Sequence, residues 1–171
     1  MRTSGYWLRY SRLKVVIIVL SCFNIADYFL WLANETGSFI SNLKLQKLVY
    51  YAQAWHLALH GTPLFQEDFQ AWVHGPVIPE LYQKYKDFGW QPILKEANPE
   101  LPEDVQEFLD EVAQEYFACD AYELERMTHV EAPWNQARGK LPPDAPSGAV
   151  IKKEWMKEYY SSRVEEEDQE D

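Results

Sequence analysis

The organisation of the chain centres on residues 41–89, SNLKLQKLVYYAQAWHLALHGTPLFQEDFQAWVHGPVIPELYQKYKDFG. In its first part, apolar side chains cover nearly the whole circumference of a helical wheel, which is typical of a helix buried inside a domain. Ser41 or Asn42 can cap the start of this helix, and Gly61 supplies the stop. The pattern therefore predicts a buried central helix over about residues 42–60.

Lysines occur only in the first turns of this predicted helix, at Lys44 and Lys47. We expect this end of the helix to be the part that reaches solvent or a partner protein. The alternative for each lysine is that it is merely solvated, because exposed lysines are common at such positions.

A small β-hairpin is predicted over about residues 64–73. Phe69, Ala71 and Val73 alternate with Gln70 and Trp72, which is the period of a half-buried strand. We expect Leu64-Phe65 to form the other strand, with residues 66–68 as the turn. Two strands alone are marginally stable, so one face of the hairpin must pack on the helices.

Six further helices surround this core in the prediction, each with a recognisable start or stop residue. They begin near Asn24, Pro79, Pro102, Asp120, Pro133 and Ser147. In the last of them we expect Val150, Ile151, Trp155 and Tyr159 to face the core. The sequence thus predicts a mainly α, compact single-domain fold around the central helix, with no repeats and no second domain.

Composition limits the possible partners. Of the 171 residues, 47% are apolar and 15% aromatic, which suits one folded domain with a real core. The net charge is −11, and six negative charges lie in the last seven residues, which leaves 16 minus 21, or −5, for the rest. Nucleic-acid binding depends largely on Lys and Arg neutralising phosphates, so no nucleic-acid partner is expected. We interpret residues 164–171 as a solvated acidic tail, with an interaction role as the alternative.

Residues 1–20 are treated as an N-terminal extension of uncertain status. Basic residues precede the apolar run VVIIVL, which imitates a secretory signal, but the run is too short to span a bilayer and Leu20 fits poorly beside a cleavage site. The alternatives are a packed strand or helix, or upstream sequence from a mis-assigned start. Cys22 and Cys119 form no spaced pair. We therefore expect a cytoplasmic protein with no membrane partner.

Chemistry-bearing patterns are sparse. His56 and His60 stand four apart on one helix, a spacing that suits a shared metal, but no third ligand is evident. The sequence contains no phosphate-cradling glycine loop, and neither cysteine has the setting of a nucleophile. We therefore predict no catalytic, metal or cofactor site and no enzyme activity; a small metal-dependent or hydrolytic enzyme remains the disfavoured alternative.

The sharpest local motif is WVHGPV, residues 72–77. One interpretation makes it a rigid platform that anchors a partner, because aromatic side chains in preorganised places are favoured at interface hot spots. The other makes it a structural corner with Trp72 in the core, and Trp134 carries the same ambiguity. The candidate partner-binding residues are Lys44, Lys47, Trp72, His74, Pro76 and Trp134.

Several linked segments resemble the Panacea domain, the antitoxin domain of SocA- and GepA-type proteins, many of them phage-associated. They are LKLQKLVYYAQAWHLALHGTPLF, FQAWVHGPVIPELYQKY and LERMTHVEAPWNQAR, followed by a C-terminal helix ending in Tyr-Tyr. The resemblance covers about residues 21–163 in family order and spacing.

The resemblance implies a mostly helical fold and an antitoxin that neutralises a cognate protein toxin by direct binding. It also implies that the toxin is encoded by the adjacent gene, without naming the toxin, because members of the family pair with very different toxins. SocA-like members suggest an alternative role, a proteolytic adaptor that delivers the bound toxin to a protease.

Overall fold

The computed structural model describes residues 18–170, with side chains through residue 166. Most of the signal-like N-terminal segment lies outside this range. The helices of the described part are α1 (Cys22–Thr36), α2 (Asn42–His60), α3 (Pro79–Tyr85), α4 (Glu103–Tyr116), α5 (Ala121–Val130), α6 (Ala132–Arg138) and α7 (Lys153–Glu170). The strands are β1 (Phe69–Trp72), β2 (Gly75–Val77) and β3 (Val150–Ile151), and a short 3₁₀ turn spans Lys86–Phe88. The predicted mainly α fold is confirmed.

Helix α2 is the centre of the molecule, as predicted. It packs against α1, α4, α5 and α7 and against the sheet. The Ser41 hydroxyl accepts a hydrogen bond from the Lys44 amide at 3.3 Å, and Gly61 ends the helix with φ of +74°. The start of α1 differs from the prediction, because Ser21 caps it and the helix begins at Cys22 rather than near Asn24.

Buried amide side chains on α2 tie neighbouring loops to the core. The two ends of the Gln53 amide bond the Leu64 N–H and the Phe65 carbonyl, each at 2.7 Å. The Gln46 amide oxygen accepts from the Ile78 N–H at 3.0 Å. Because buried backbone groups need partners, these hydrogen bonds fix the position of the chain just before β1 and just after β2.

The sheet is antiparallel with the order β2-β1-β3. Trp72 pairs with Gly75, so the tight turn of the hairpin is Val73-His74. The predicted pairing of residues 64–65 with β1 is wrong, since Gln53 takes the backbone groups of that segment. The partner is β2, in the segment interpreted from sequence as a corner.

The last predicted helix also differs at its start. Val150 and Ile151 form β3, and Val150 is 46% exposed. Ile151 is buried as predicted. In α7, which begins only at Lys153, the fully buried residues are Met156 and Tyr160, whereas the predicted Trp155 and Tyr159 are only partly buried. Helix α7 continues into the residues assigned to the acidic tail. Within residues 18–170, no helix is long and apolar enough to cross a membrane.

Candidate functional site

A groove of about 530 Å³ opens beside the turn between β1 and β2. We call it the hairpin groove. The residues that define it come from the start of α2, the hairpin, α3 and two loops: Gln46, Trp72, His74, Tyr82, Trp90 and Pro146. Its volume lies within the range of about 300–1,000 Å³ that is usual for binding clefts.

Aromatic rings form the walls of the hairpin groove. Trp72 meets Tyr82 edge to face, with ring centroids 5.1 Å apart, and His74 meets Trp90 in the same way at 5.7 Å. Trp90 is 70% exposed. An exposed tryptophan beside a partly buried one gives a partner a large apolar surface with one polar N–H for orientation.

The rim of the groove carries a contact between a histidine and a carboxylate. The His74 Nδ1 atom lies 3.0 Å from a carboxylate oxygen of Glu125 on α5. His74 is exposed, whereas Glu125 is more covered. This contact joins the tip of the hairpin to α5.

Lys47 lies beneath the hairpin and is fully buried, so the prediction that it reaches solvent is wrong. Its ammonium donates a hydrogen bond to the Pro76 carbonyl at 3.0 Å. Burial lowers the pKa of Lys47 to about 7, and the charge of Glu125 opposes that shift. The lysine therefore fixes β2 onto α2. The sequence pattern predicted that Lys47 lies near solvent, because no pattern shows that the hairpin covers this turn of the helix.

The hairpin approaches Lys47 closely at Gly75. A Cβ atom there would lie 2.6 Å from the Lys47 Cε and 2.8 Å from the Thr128 hydroxyl, and Gly75 has φ of +97°. Only glycine fits both the conformation and the space. Pro76 is buried next to it and is not available at the surface.

Trp134 supports the hairpin from α6. It is 4% exposed, and its indole N–H donates to the Trp72 carbonyl at 2.9 Å. The Arg138 guanidinium lies 4.7 Å from the centre of the Trp134 ring system and donates to the Ala71 carbonyl at 2.8 Å. Trp134 thus helps to fix the backbone of β1 without lining the groove.

Lys44 is held away from the groove. Its ammonium donates to the Phe117 carbonyl at 2.6 Å, where it meets the end of α4, and lies 4.9 Å from the centre of the Phe117 ring. Burial lowers the pKa of Lys44.

Of the six candidates, Trp72 and His74 line the groove, while Lys47, Pro76 and Trp134 build its support. Trp90, which also lines the groove, was not among the predicted residues; its only sequence signal is a large aromatic residue directly after the helix-ending Gly89.

The two histidines with metal-ligand spacing have other partners. His56 Nδ1 lies 2.7 Å from the Thr62 carbonyl, and both imidazole rings lie edge-on to Phe108. Burial lowers the pKa of His56. Within the part of the chain that the structure describes, no three His, Cys, Asp or Glu side chains come together in a way that would hold a metal ion.

The sequence model of the family described as "Antitoxin SocA-like, Panacea domain" matches residues 45–135. The chain belongs to this family. The matched Panacea segment runs from the first turn of α2 into α6, so it contains Trp72, His74, Trp90 and Trp134, whereas Lys44 lies just before it.

A curated relative, Antitoxin SocA of Caulobacter vibrioides (strain NA1000 / CB15N), is 31% identical over 110 residues. The alignment covers 56% of this chain and 58% of that protein, so the Panacea-family chain spans somewhat over half the length of the relative. No solved structure matches the chain.

Proposed function

We propose that this protein is an antitoxin that neutralises a protein toxin by binding it directly, and that the hairpin groove is a central part of the contact. Membership of the SocA-like Panacea family is the observation that carries the antitoxin role. The name of the similar Caulobacter protein, Antitoxin SocA, points the same way. This family membership also favours a binding role over catalysis.

The composition of the groove supports its assignment as a contact surface. Tryptophan and tyrosine are enriched among the few residues that carry most of the binding energy at protein interfaces. The groove holds Trp72, Tyr82 and Trp90 together on one side of the domain. Trp90, at 70% exposed, is the residue that a toxin would cover most completely.

The side chains that hold the hairpin in place favour tight binding. Lys47 fixes β2, and Trp134 and Arg138 fix β1, through hydrogen bonds to backbone carbonyls. A surface that is already rigid loses little conformational freedom on binding, so more of the contact energy appears as affinity. The net charge of −11 also favours rapid association with a basic partner.

The test is co-expression with the product of the adjacent reading frame, followed by measurement of affinity on purified proteins. Trp90→Ala should weaken toxin binding by about tenfold or more, since it removes the most exposed aromatic group of the groove. Tyr122→Ala is the matched control, because Tyr122 is an aromatic residue on α5, 67% exposed and outside the groove. Equal binding by both variants and the wild-type protein would remove the groove from the proposal.

The same experiment separates neutralisation from proteolytic delivery. An antitoxin that acts by binding leaves the toxin intact and at its full cellular level. Loss of the toxin that depends on a cellular protease would favour the adaptor role, and a toxin that remains active beside excess protein would exclude both.

A further inference from the structure

A second cavity, of about 380 Å³, lies along the C-terminal half of α2 and is separate from the hairpin groove. We call it the tyrosine pocket. It lies between α2, α4 and α7, with the junction of α5 and α6 at its inner side. Its defining residues are Trp55, Glu115, Tyr116, Glu131, Tyr160 and Arg163.

The inner side of the tyrosine pocket carries a buried carboxylate. Glu131 is 6% exposed, and its two oxygens accept hydrogen bonds from the hydroxyls of Tyr51, at 3.0 Å, and Tyr160. Among the described residues, no basic side chain lies within 4.0 Å of it. A carboxylate has about four lone-pair sites, so two remain free for a further donor.

Aromatic rings flank this carboxylate. Tyr116 stacks on Tyr51 with ring centroids 4.0 Å apart, and its hydroxyl accepts from the Trp55 indole N–H at 2.7 Å. Trp55 in turn meets Tyr160 edge to face at 5.1 Å. The contacts hold the rings in fixed positions around the cavity, and the faces of such rings attract cations.

The charge of the lining also selects a cation. Glu111 and Glu115 of α4 line the pocket together with Glu131, whereas Arg163 is the one basic residue among the described lining residues. The Arg163 guanidinium is 5.9 Å from the centre of the Tyr159 ring, and its charge acts on Glu131 to lower the pKa of that carboxyl, against the larger effect of burial. Burial raises the pKa of Glu131 to about 7, but Glu111 and Glu115 already outnumber the one guanidinium, so the pocket stays negative and disfavours an acidic or neutral occupant.

We propose that the tyrosine pocket binds an arginine side chain of the toxin, with the guanidinium against Glu131 and beside the aromatic rings that line the pocket. Arginine fits better than lysine because a planar guanidinium bonds a carboxylate through two donors and stacks on aromatic rings. The assignment of the arginine to the toxin rests on the proposed antitoxin function; the chemistry of the pocket does not.

The pocket is tested first without any toxin, on the full chain. Nα-acetyl-arginine amide is titrated while NMR follows the assigned indole N–H of Trp55, and Nα-acetyl-citrulline amide serves as the neutral probe of the same shape. We expect a saturable shift with the arginine probe and none with the citrulline probe. Absence of a saturable shift at millimolar probe, or equal shifts from both probes, would overturn the proposal.

Two variants locate the site. Glu131→Gln keeps the side-chain shape and an acceptor for one of the two tyrosine hydroxyls, and it should weaken arginine-probe binding by about fivefold or more. Glu107→Gln is the matched control, because Glu107 is an exposed residue of α4 outside the pocket and should bind as the wild type does. If the two variants bind the probe equally, Glu131 is not the partner of the guanidinium.

The second test measures toxin binding by the same two variants. Glu131→Gln should also weaken toxin binding, while Glu107→Gln should not. If the probe fails to bind but the protein still neutralises its toxin, the pocket assignment is wrong and the proposed function stands. If the probe binds but no toxin is neutralised, the proposed function fails, and the assignment of the arginine to a toxin fails with it.

Discussion

Replacing Gly75 by alanine tests whether the hairpin is seated on the buried lysine. The new Cβ would lie 2.6 Å from the Lys47 Cε, 2.8 Å from the Thr128 hydroxyl and 3.2 Å from the Lys47 Nζ. Lys47 is fully buried, so its side chain has no open space into which it can retreat. The hairpin must therefore shift away from α2, or the lysine must give up its bond to the Pro76 carbonyl.

The expected cost has two parts. An L-residue with φ of +97° loses about 1–2 kcal/mol relative to glycine. Forcing an extra methyl group into a packed site costs about 1–3 kcal/mol more. Gly75→Ala should therefore lower the free energy of unfolding by about 2–5 kcal/mol.

The assay is urea denaturation of both Gly75→Ala and Gly37→Ala. Gly37 also has positive φ, at +64°, but a Cβ there would meet nothing within 4 Å, so this variant carries the conformational part alone. Gly75→Ala should be the less stable of the two by about 1–3 kcal/mol. Equal losses in the two variants would refute the close approach of the hairpin to Lys47.

Four further predictions concern stability. Burial raises the pKa of Glu131 to about 7, so the native state binds more protons than the unfolded state between pH 4.5 and 7. The free energy of unfolding should therefore fall as the pH rises across that window. Glu131→Gln should remove this fall. Lys47 should have the opposite effect on the pH dependence of stability. Its pKa of about 7 lies below the ordinary 10.5, so the free energy of unfolding should rise as the pH rises between those values. Lys47→Met should remove this rise. Each slope is of order 1 kcal/mol per pH unit at its steepest. Arg138→Met leaves the carbonyls of β1 and of the loop 142–145 without donors and should cost about 2–3 kcal/mol in urea denaturation, with faster proteolysis in that loop. Asp120→Ala removes the cap of α5, where the Glu123 N–H donates at 2.7 Å, and should cost about 1 kcal/mol by the same assay.

Each of these predictions has an outcome that contradicts it. Identical pH profiles for the wild type and a variant would mean that the replaced group does not titrate in the native state as described. Arg138→Lys keeps a charge but lacks the planar fork, so full stability of that variant would show that the multiple carbonyl contacts are unimportant. A loss after Asp120→Ala no larger than that after Glu107→Ala, on an exposed helix face, would argue against the cap.

The central helix and its ends could be predicted because the relevant signals are local. Ser41 offers its hydroxyl to an amide three residues away, and Gly61 adopts the left-handed conformation that ends a helix. Burial of α2 could be predicted from its apolar circumference alone, without knowing which elements cover it. These features depend on neighbours within a few residues, and the structure confirms them.

The strand pairing could not be predicted because two segments competed for it. Residues 64–65 and 75–77 both flank β1, and either is short enough to pair with it. The outcome depends on Gln53, which lies on α2 and takes the backbone groups of residues 64–65 for itself. No pattern within the hairpin segment records that tertiary contact.

The groove was predictable only in part for the same reason. The hairpin motif drew attention to Trp72 and His74, but Trp90 follows α3 and Pro146 precedes β3, and both reach the groove only through the fold. Lys47 was misplaced because a lysine at a helix start is usually solvated, whereas here β2 covers it. Burial of a charged group by a distant element leaves no sequence signal.

The most direct test of the antitoxin role is a titration of the purified toxin from the adjacent reading frame with this protein, in an assay of the toxin's own activity and without any protease. Direct neutralisation predicts that toxin activity disappears at about one equivalent, that the toxin stays intact, and that Trp90→Ala requires a higher concentration than Tyr122→Ala. Full toxin activity in the presence of excess protein, or inhibition that appears only when a protease is added, would contradict the account.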